Sequence, residues 1–185
     1  MALDLVDVGG ESCEPVAGIV NDVKIAPHGD FTLINDPAEL CGDGEALSVE
    51  ELVTISADHT FNTGKGFTNI ESIEETGTIT TTMIGETGRK LFQNALTIEV
   101  AGSTAALLGF LRQVKNGKYV VLAEEFGSGA FRQIGSSRFP ARFESIEAAL
   151  EAVAEGKNSV TLTIQDKSKW PAAIYTGAIT EYPSV

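Results

Sequence analysis

The chain has 185 residues, of which 43% are apolar, and a formal net charge of −13. A chain of this size and apolar content can bury one sizeable core, so general disorder is excluded. The acids are concentrated in residues 1–60, which hold 13 acidic residues and a single base, Lys24. This part of the chain repels phosphates, which argues against nucleic-acid binding there, and it equally fits a plain solvated surface.

Targeting signals and membrane spans are not expected from this sequence. No apolar run approaches the roughly 20 residues that a membrane-spanning helix needs. Residues 1–4 lack the basic and apolar segments of a secretory signal. Cys13 and Cys41 form no CxxC pair, which favours synthesis in a reducing cytoplasm. We therefore expect no membrane partner.

The first part of the chain predicts an arm followed by strands. Residues 1–17 contain glycines and a proline without periodicity, which is typical of an N-terminal arm. Its apolar residues have no evident place in a core, so we interpret them as an assembly arm that contacts other subunits: Leu3, Leu5, Val6 and Val8. Residues 18–185 are predicted to form a single β-rich domain with an acidic loop excursion at 35–51. Before the central stretch, strands are predicted at 18–26, 31–34 and 52–56, and a loop at 59–67.

The central stretch combines two strands with a helix. Residues 78–83 and 94–100 alternate in polarity and predict strands. An amphipathic helix follows from the spacing of apolar residues between 103 and 115, with Ser103 or Thr104 as its N-cap. Gly117 is expected to end that helix at a positive φ. The alternative, a hairpin turn at Asn116-Gly117 between two strands, is disfavoured because residues 105–108 include no β-branched side chain.

The remaining elements are mostly strands. Residues 119–125 and 131–134 predict two strands joined by a glycine-containing turn, and residues 138–143 are expected to be extended around Pro140. Residues 145–155 are predicted to form a second helix, with one apolar face made by Ile146, Ala149, Leu150 and Val153. Strands at 160–164 and 172–179 complete a mainly β fold with one or two short flanking helices.

Catalytic and metal-binding patterns are not found. The candidate zinc ligands are His28, His59, Cys13 and Cys41, and their spacing matches no compact finger or ribbon. Neither histidine neighbours a nucleophile-elbow pattern. We therefore expect no enzyme activity, no cofactor and no bound metal.

Three runs of residues carry a resemblance to a known family. Leu107-Leu108-Gly109-Phe110-Leu111, then residues 120–125, then Gln133-Ile134-Gly135 resemble bacteriophage tail tube (major tail) proteins, over roughly residues 78–179. The resemblance implies a β-sandwich or barrel with a flanking helix. It also implies self-assembly into rings, usually hexameric, that stack into a tube through which DNA passes without specific binding. Further partners would be other tail or head–tail proteins, and the location would be the virion tail after synthesis in the bacterial host cytoplasm.

Other functions remain open. A head–tail connector or a capsid-decorating protein would share the structural class. A β-rich ligand-binding module would need an aromatic-lined cleft, yet Trp170 is the only tryptophan. An enzyme would need the constellation that the sequence lacks.

The polar faces of two predicted strands suggest a channel lining. A tube that passes DNA must not hold it, and neutralisation of phosphates by Lys or Arg is the main source of sequence-independent affinity. On the strands at 78–83 and 94–100 these faces carry no base. We predict that they line the channel, with Glu99 as the fixed anion, through Thr78, Thr80, Thr82, Thr97 and Glu99. The alternative is that the same face is simply the solvated side of a sheet.

Overall fold

The computed structural model describes residues 18–126, 128–151 and 158–182. The predicted assembly arm, with Leu3, Leu5, Val6 and Val8, lies outside these described residues. The strands and the helix in chain order are β1 (Ile19–Pro27), β2 (Phe31–Leu33), β3 (Thr54–Ile55), β4 (Thr60–Phe61), β5 (Thr68–Glu71), β6 (Thr78–Ile84), β7 (Leu91–Ala101), α1 (Ala105–Val114), β8 (Tyr119–Glu125), β9 (Phe131–Ile134), β10 (Arg142–Leu150), β11 (Asn158–Ser168) and β12 (Ala173–Tyr175).

The fold is mainly β, as the sequence predicts. A six-stranded sheet has the order β3-β12-β9-β8-β1-β5, and a four-stranded sheet has the order β10-β11-β7-β6. Strands β2 and β4 form a small third sheet. Both larger sheets are open, and they share one buried cluster, so they pack face to face as a sandwich.

Strand β8 is the centre of the packing because it is buried on both faces. Val121 and Ala123 pack into the first core, between the two large sheets. Val120 and Leu122 point the other way into a second core, which the side chains of Phe31, Phe61 and Trp170 partly cover. A strand with two buried faces reads as a continuous apolar run, which is the pattern of residues 119–123.

The predicted helix is confirmed as α1. The Thr104 hydroxyl oxygen accepts the Leu107 backbone N–H at 3.2 Å, which caps its N-terminus as expected. Leu111 and Val114 are buried in the first core. These two residues, three positions apart on one face, anchor the helix against the sandwich, whereas Leu108 is exposed.

The prediction for Gly117 is wrong. Its φ lies outside the left-handed region. A Cβ at this position would lie 2.0 Å from the Tyr119 hydroxyl oxygen and 2.3 Å from its ring. Glycine is therefore required here because the buried Tyr119 ring occupies the space of a side chain, and not because of the backbone conformation.

The predicted second helix at 145–155 is also wrong. Residues 142–150 form β10, which pairs antiparallel with β11, from Arg142 opposite Gln165 to Leu150 opposite Asn158. A bulge near Glu144 shifts the register, so that Ile146 packs against the first core whereas Ala149 lies on the other face. The helical spacing of the apolar residues is outweighed by a long backbone ladder, which a local pattern cannot reveal. Val153 lies outside the described residues.

The other predicted strands are present with shifted bounds, but the predicted loop at 59–67 contains β4 (Thr60–Phe61). Strands β4 and β5 were not predicted, because the first has two residues and the second has only Ile70 buried. The acidic excursion at 35–51 carries no strand of the three sheets; an ion pair of 2.8 Å joins its Glu39 to Lys169. Among the described residues no helix is long and apolar enough to cross a membrane.

Candidate assembly surface on the four-stranded sheet

The predicted channel-lining residues lie together on one face of the four-stranded sheet. Thr78 on β6 is directly opposite Thr97 on β7. Residues at every second position of a strand share a face, which adds Thr80, Thr82 and Glu99 to the same surface. The three β6 threonines are exposed, and Thr97 and Glu99 are half-buried. The role of this surface as a channel lining stays a prediction.

Strands β10 and β11 extend the surface with similar side chains. The hydroxyl oxygens of Thr97 and Thr163 are 3.4 Å apart across the β7–β11 pair. The Ser159 hydroxyl donates to the Glu99 carboxylate. We call the whole outward surface the polar face; its members are Thr78, Thr80, Thr82, Gln93, Ala95, Thr97, Glu99, Ala101, Arg142, Ser145, Glu147, Ala149, Ser159, Thr161, Thr163, Gln165 and Lys167.

The opposite side of the same sheet is apolar and sealed. Leu96, Ile98, Leu162 and Ile164 are each fully buried in the first core. Strict alternation on β7 and β11 therefore divides the sheet into one face that is buried in the core and one that points outward. The polar face is therefore available for contacts with other molecules.

The polar face is less uniform in charge than the sequence predicts. Strands β6 and β7 bring no base to it, as expected, but the neighbouring strands bring Arg142 and Lys167. Glu99 and Glu147 both lie opposite Thr161, whereas Arg142 lies opposite Gln165. Four residues along β11 separate these positions, or about 13 Å at the rise of a strand. The face is thus acidic towards one end and basic towards the other.

Both edges of this sheet are open among the described residues. Strands β6 and β10 each pair on one side only. Just before β10, Ala141 exchanges two backbone hydrogen bonds of 2.9 Å with Tyr119, and beyond that point no described strand follows its outer edge. Unpaired edges of this length invite pairing with another chain.

A buried polar cluster under the sheet was missed by the sequence analysis. The Asn94 amide donates to the Asp166 carboxylate at 2.9 Å, and the other Asp166 oxygen accepts the Gly135 N–H at 2.7 Å. These bonds join β7 and β11 to the residue after β9, and so connect the two large sheets. Burial raises the pKa of Asp166, while the bonds from Gly135 and Asn94 oppose that rise. The signal was present, since Asn94 and Asp166 occupy inward positions of strands that are otherwise apolar there.

The candidate metal ligands within the described residues, His28, His59 and Cys41, have separate surroundings. His59 is buried and stacks on the Tyr175 ring at a centroid distance of 4.5 Å. Its Nε2 is 2.8 Å from the Gln133 side-chain oxygen, and its Nδ1 accepts the Asn35 backbone N–H at 3.1 Å. His28 bonds the Ser137 carbonyl instead, and Cys41 is exposed.

No group of three or more His, Cys, Asp or Glu side chains suited to a metal occurs in the described ranges, and Cys13 is outside them. Burial lowers the pKa of His59, an effect that the Gln133 hydrogen bond partly offsets. Trp170 is half-buried against the second core, where it serves packing.

Comparison with known proteins yields no match to a protein family, to a curated protein or to a solved structure.

Proposed function

We propose that this chain is a structural virion subunit that self-assembles into rings, which stack into a bacteriophage tail tube for the passage of DNA. The observation that carries the proposal is the four-stranded sheet, which is sealed on its inner side, polar on its outer side and open at both edges. A ring of copies would use every part of this combination: the buried side for stability, the two edges for pairing and the polar side as a common surface.

The open edges support ring closure. Pairing of β6 of one copy with β10 of the next would satisfy both rows of free backbone groups and would repeat around a closed ring. The two strands have 7 and 9 residues, so their lengths are matched closely enough for a continuous ladder. Six copies, the number that the resemblance implies, would then carry their polar faces on one common surface.

The composition of the polar face supports its place inside the ring. Hydroxyl, amide and methyl groups dominate it, and they offer DNA no fixed positive charge. The two bases of the face, Arg142 and Lys167, lie at one end of it. Arg142 is opposite Gln165, which is two residues before Lys167 on β11. The Glu99 and Glu147 carboxylates at the other end would repel phosphates.

Edge pairing can be tested with two proline variants, Thr82→Pro and Met83→Pro, at neighbouring exposed positions of β6. Neighbouring residues on an edge strand direct their N–H groups to opposite sides, so one variant loses a bond to β7 and the other loses only a free edge donor. The variant at the free edge should melt like the parent yet elute as single chains in gel filtration with light scattering. Assembly that survives in that variant would rule out pairing through β6.

The same experiment separates the tail tube from its structural alternative. A head–tail connector would use the same edges but stop at a single ring, which light scattering reports as one mass at all concentrations. A tube subunit would give masses that rise with concentration.

The placement of the polar face can be tested by adding charge to it. The double variant Thr97→Lys with Glu99→Lys should still form tubes, but those tubes should retain DNA at low salt and release it as salt is raised. The matched control is Leu47→Lys with Glu50→Lys, which makes the same change in charge at exposed positions of the acidic excursion. Equal DNA retention by the two double variants would place the polar face outside the channel.

A further inference from the structure

A group of exposed bases near one end of the four-stranded sheet has no role in the fold. Lys118, Arg138, Arg142 and Lys167 line a groove of about 410 Å³, which we call the basic groove. All four are exposed, and none forms an ion pair with a carboxylate of the described residues, where the pairs are made by Lys24, Lys65, Arg132 and Lys169. Phe139 and Pro140 give the groove an apolar wall.

The acids near the basic groove are already engaged. The Glu144 carboxylate accepts a hydrogen bond from the Gln165 amide. Asp166 is buried and accepts from Gly135 and Asn94. Asp36 accepts from the Ser137 hydroxyl. The groove therefore offers an unsatisfied positive field beside an apolar surface, which suits an acidic ligand with apolar side chains.

We propose that the basic groove binds the N-terminal segment, residues 1–17, of a neighbouring copy of this chain. That segment holds four acids and no base: Asp4, Asp7, Glu11 and Glu14. Within residues 3–8, acids and apolar residues are interleaved, so one short stretch can present carboxylates to the bases and apolar groups to Phe139 and Pro140. Charge and polarity thus match on both sides of the contact.

The described chain begins at the end of the β1–β8 pair that lies away from the basic groove. Ile19 starts β1 opposite Glu125, whereas Pro27 ends it opposite Tyr119, the residue after Lys118. A bulge in β1 sets its nine residues opposite the seven of β8, so about 20 Å of strand separates the start of β1 from the groove. In a stack whose axis runs along β1, with all copies pointing the same way, the end that carries residue 18 faces the groove end of the next copy. The inference rests on the stacking in the proposed function and adds the contact that joins one ring to the next.

Disulfide trapping in the full chain tests this contact. The trap combines Gly9→Cys with Glu144→Cys, and Cys13→Ser with Cys41→Ser removes the native thiols. Mild oxidation at low salt should give a ladder of linked chains on a non-reducing gel. The ladder should weaken by roughly tenfold when Arg138→Glu and Arg142→Glu are added, because like charges then meet. Arg112→Glu with Lys115→Glu, at exposed positions in α1 and at its C-cap, is the matched control and should leave the ladder unchanged.

The outcomes are distinct for the inference and for the proposed function. A single-chain product with an internal disulfide, or no product, overturns the inference even if micrographs show tubes. A ladder without tubes would sink the proposed tube and leave the contact standing. Replacing Gly9→Cys by Leu47→Cys asks whether the acidic excursion occupies the groove instead, and a stronger ladder from that pair also overturns the inference.

Discussion

The two large sheets of this protein differ in how many of their faces the fold uses. The six-stranded sheet is buried on both sides around β8, where Val120, Val121 and Leu122 are all fully buried. The four-stranded sheet is buried on one side only, and its other side is the polar face. Both faces of the six-stranded sheet near β8 therefore contribute to the stability of the fold. In the four-stranded sheet one face contributes to stability, and the other is available for assembly.

The largest losses of stability should come from shortening side chains in the cores. Neighbouring residues should differ in cost on the four-stranded sheet but not on β8. On β11, Leu162→Ala should lower the free energy of unfolding by roughly 2–5 kcal/mol, while its neighbour Thr163→Ala on the polar face should cost about 1 kcal/mol or less. On β8, Leu122→Ala and its neighbour Val121→Ala should both be costly, because each side chain enters a core. Denaturant unfolding measures all four, and a costly Thr163→Ala would show that the polar face is part of the fold.

The next largest effect on stability is expected from a substitution of Gly117, which lies against Tyr119 at the start of β8. Gly117→Ala should destabilise the protein by roughly 1–3 kcal/mol, because the added carbon overlaps the Tyr119 ring, which packs edge-on against Phe143. Gly109→Ala is the control. Gly109 is an exposed residue of α1, and a Cβ added there has no atom within 4 Å. The substitution should stabilise the helix by about 0.5–1 kcal/mol. Equal melting temperatures for the two variants would contradict the packing role of Gly117.

How far the sequence predicts this structure depends on whether the signal is local. Helix α1 was predicted well because its cap, Thr104, and its buried residues lie within a few turns of one another. Residues 145–155 were mispredicted because pairing with β11 is decided by contacts that the local spacing of Ile146 and Leu150 does not contain. The polar residues of β6 and β7 were identified from alternation, yet Arg142 and Lys167 joined them only through cross-strand register. The basic groove is built from three separate segments, so the local sequence could not predict it.

The smallest effect on stability concerns the second core of the six-stranded sheet and depends on pH. The pKa of His59 is lowered by burial, so below about pH 6.5 the unfolded chain binds a proton that the folded chain does not. Stability should therefore fall as the pH drops below that value, by at most about 1.4 kcal/mol per pH unit from this group. Unfolding of the parent and of His59→Gln at pH 7, 6 and 5 isolates the effect as a difference in slope. Identical slopes would mean that the pKa of His59 is the same in the folded and the unfolded chain.

The most direct test of the proposed tube is electron microscopy of the full chain, purified and concentrated. Pairing through the open edges of the four-stranded sheet predicts rings at moderate concentration and tubes of stacked rings at high concentration, with a central channel in each ring. Dispersed single chains of 19.5 kDa at every concentration, verified by light scattering, would contradict it.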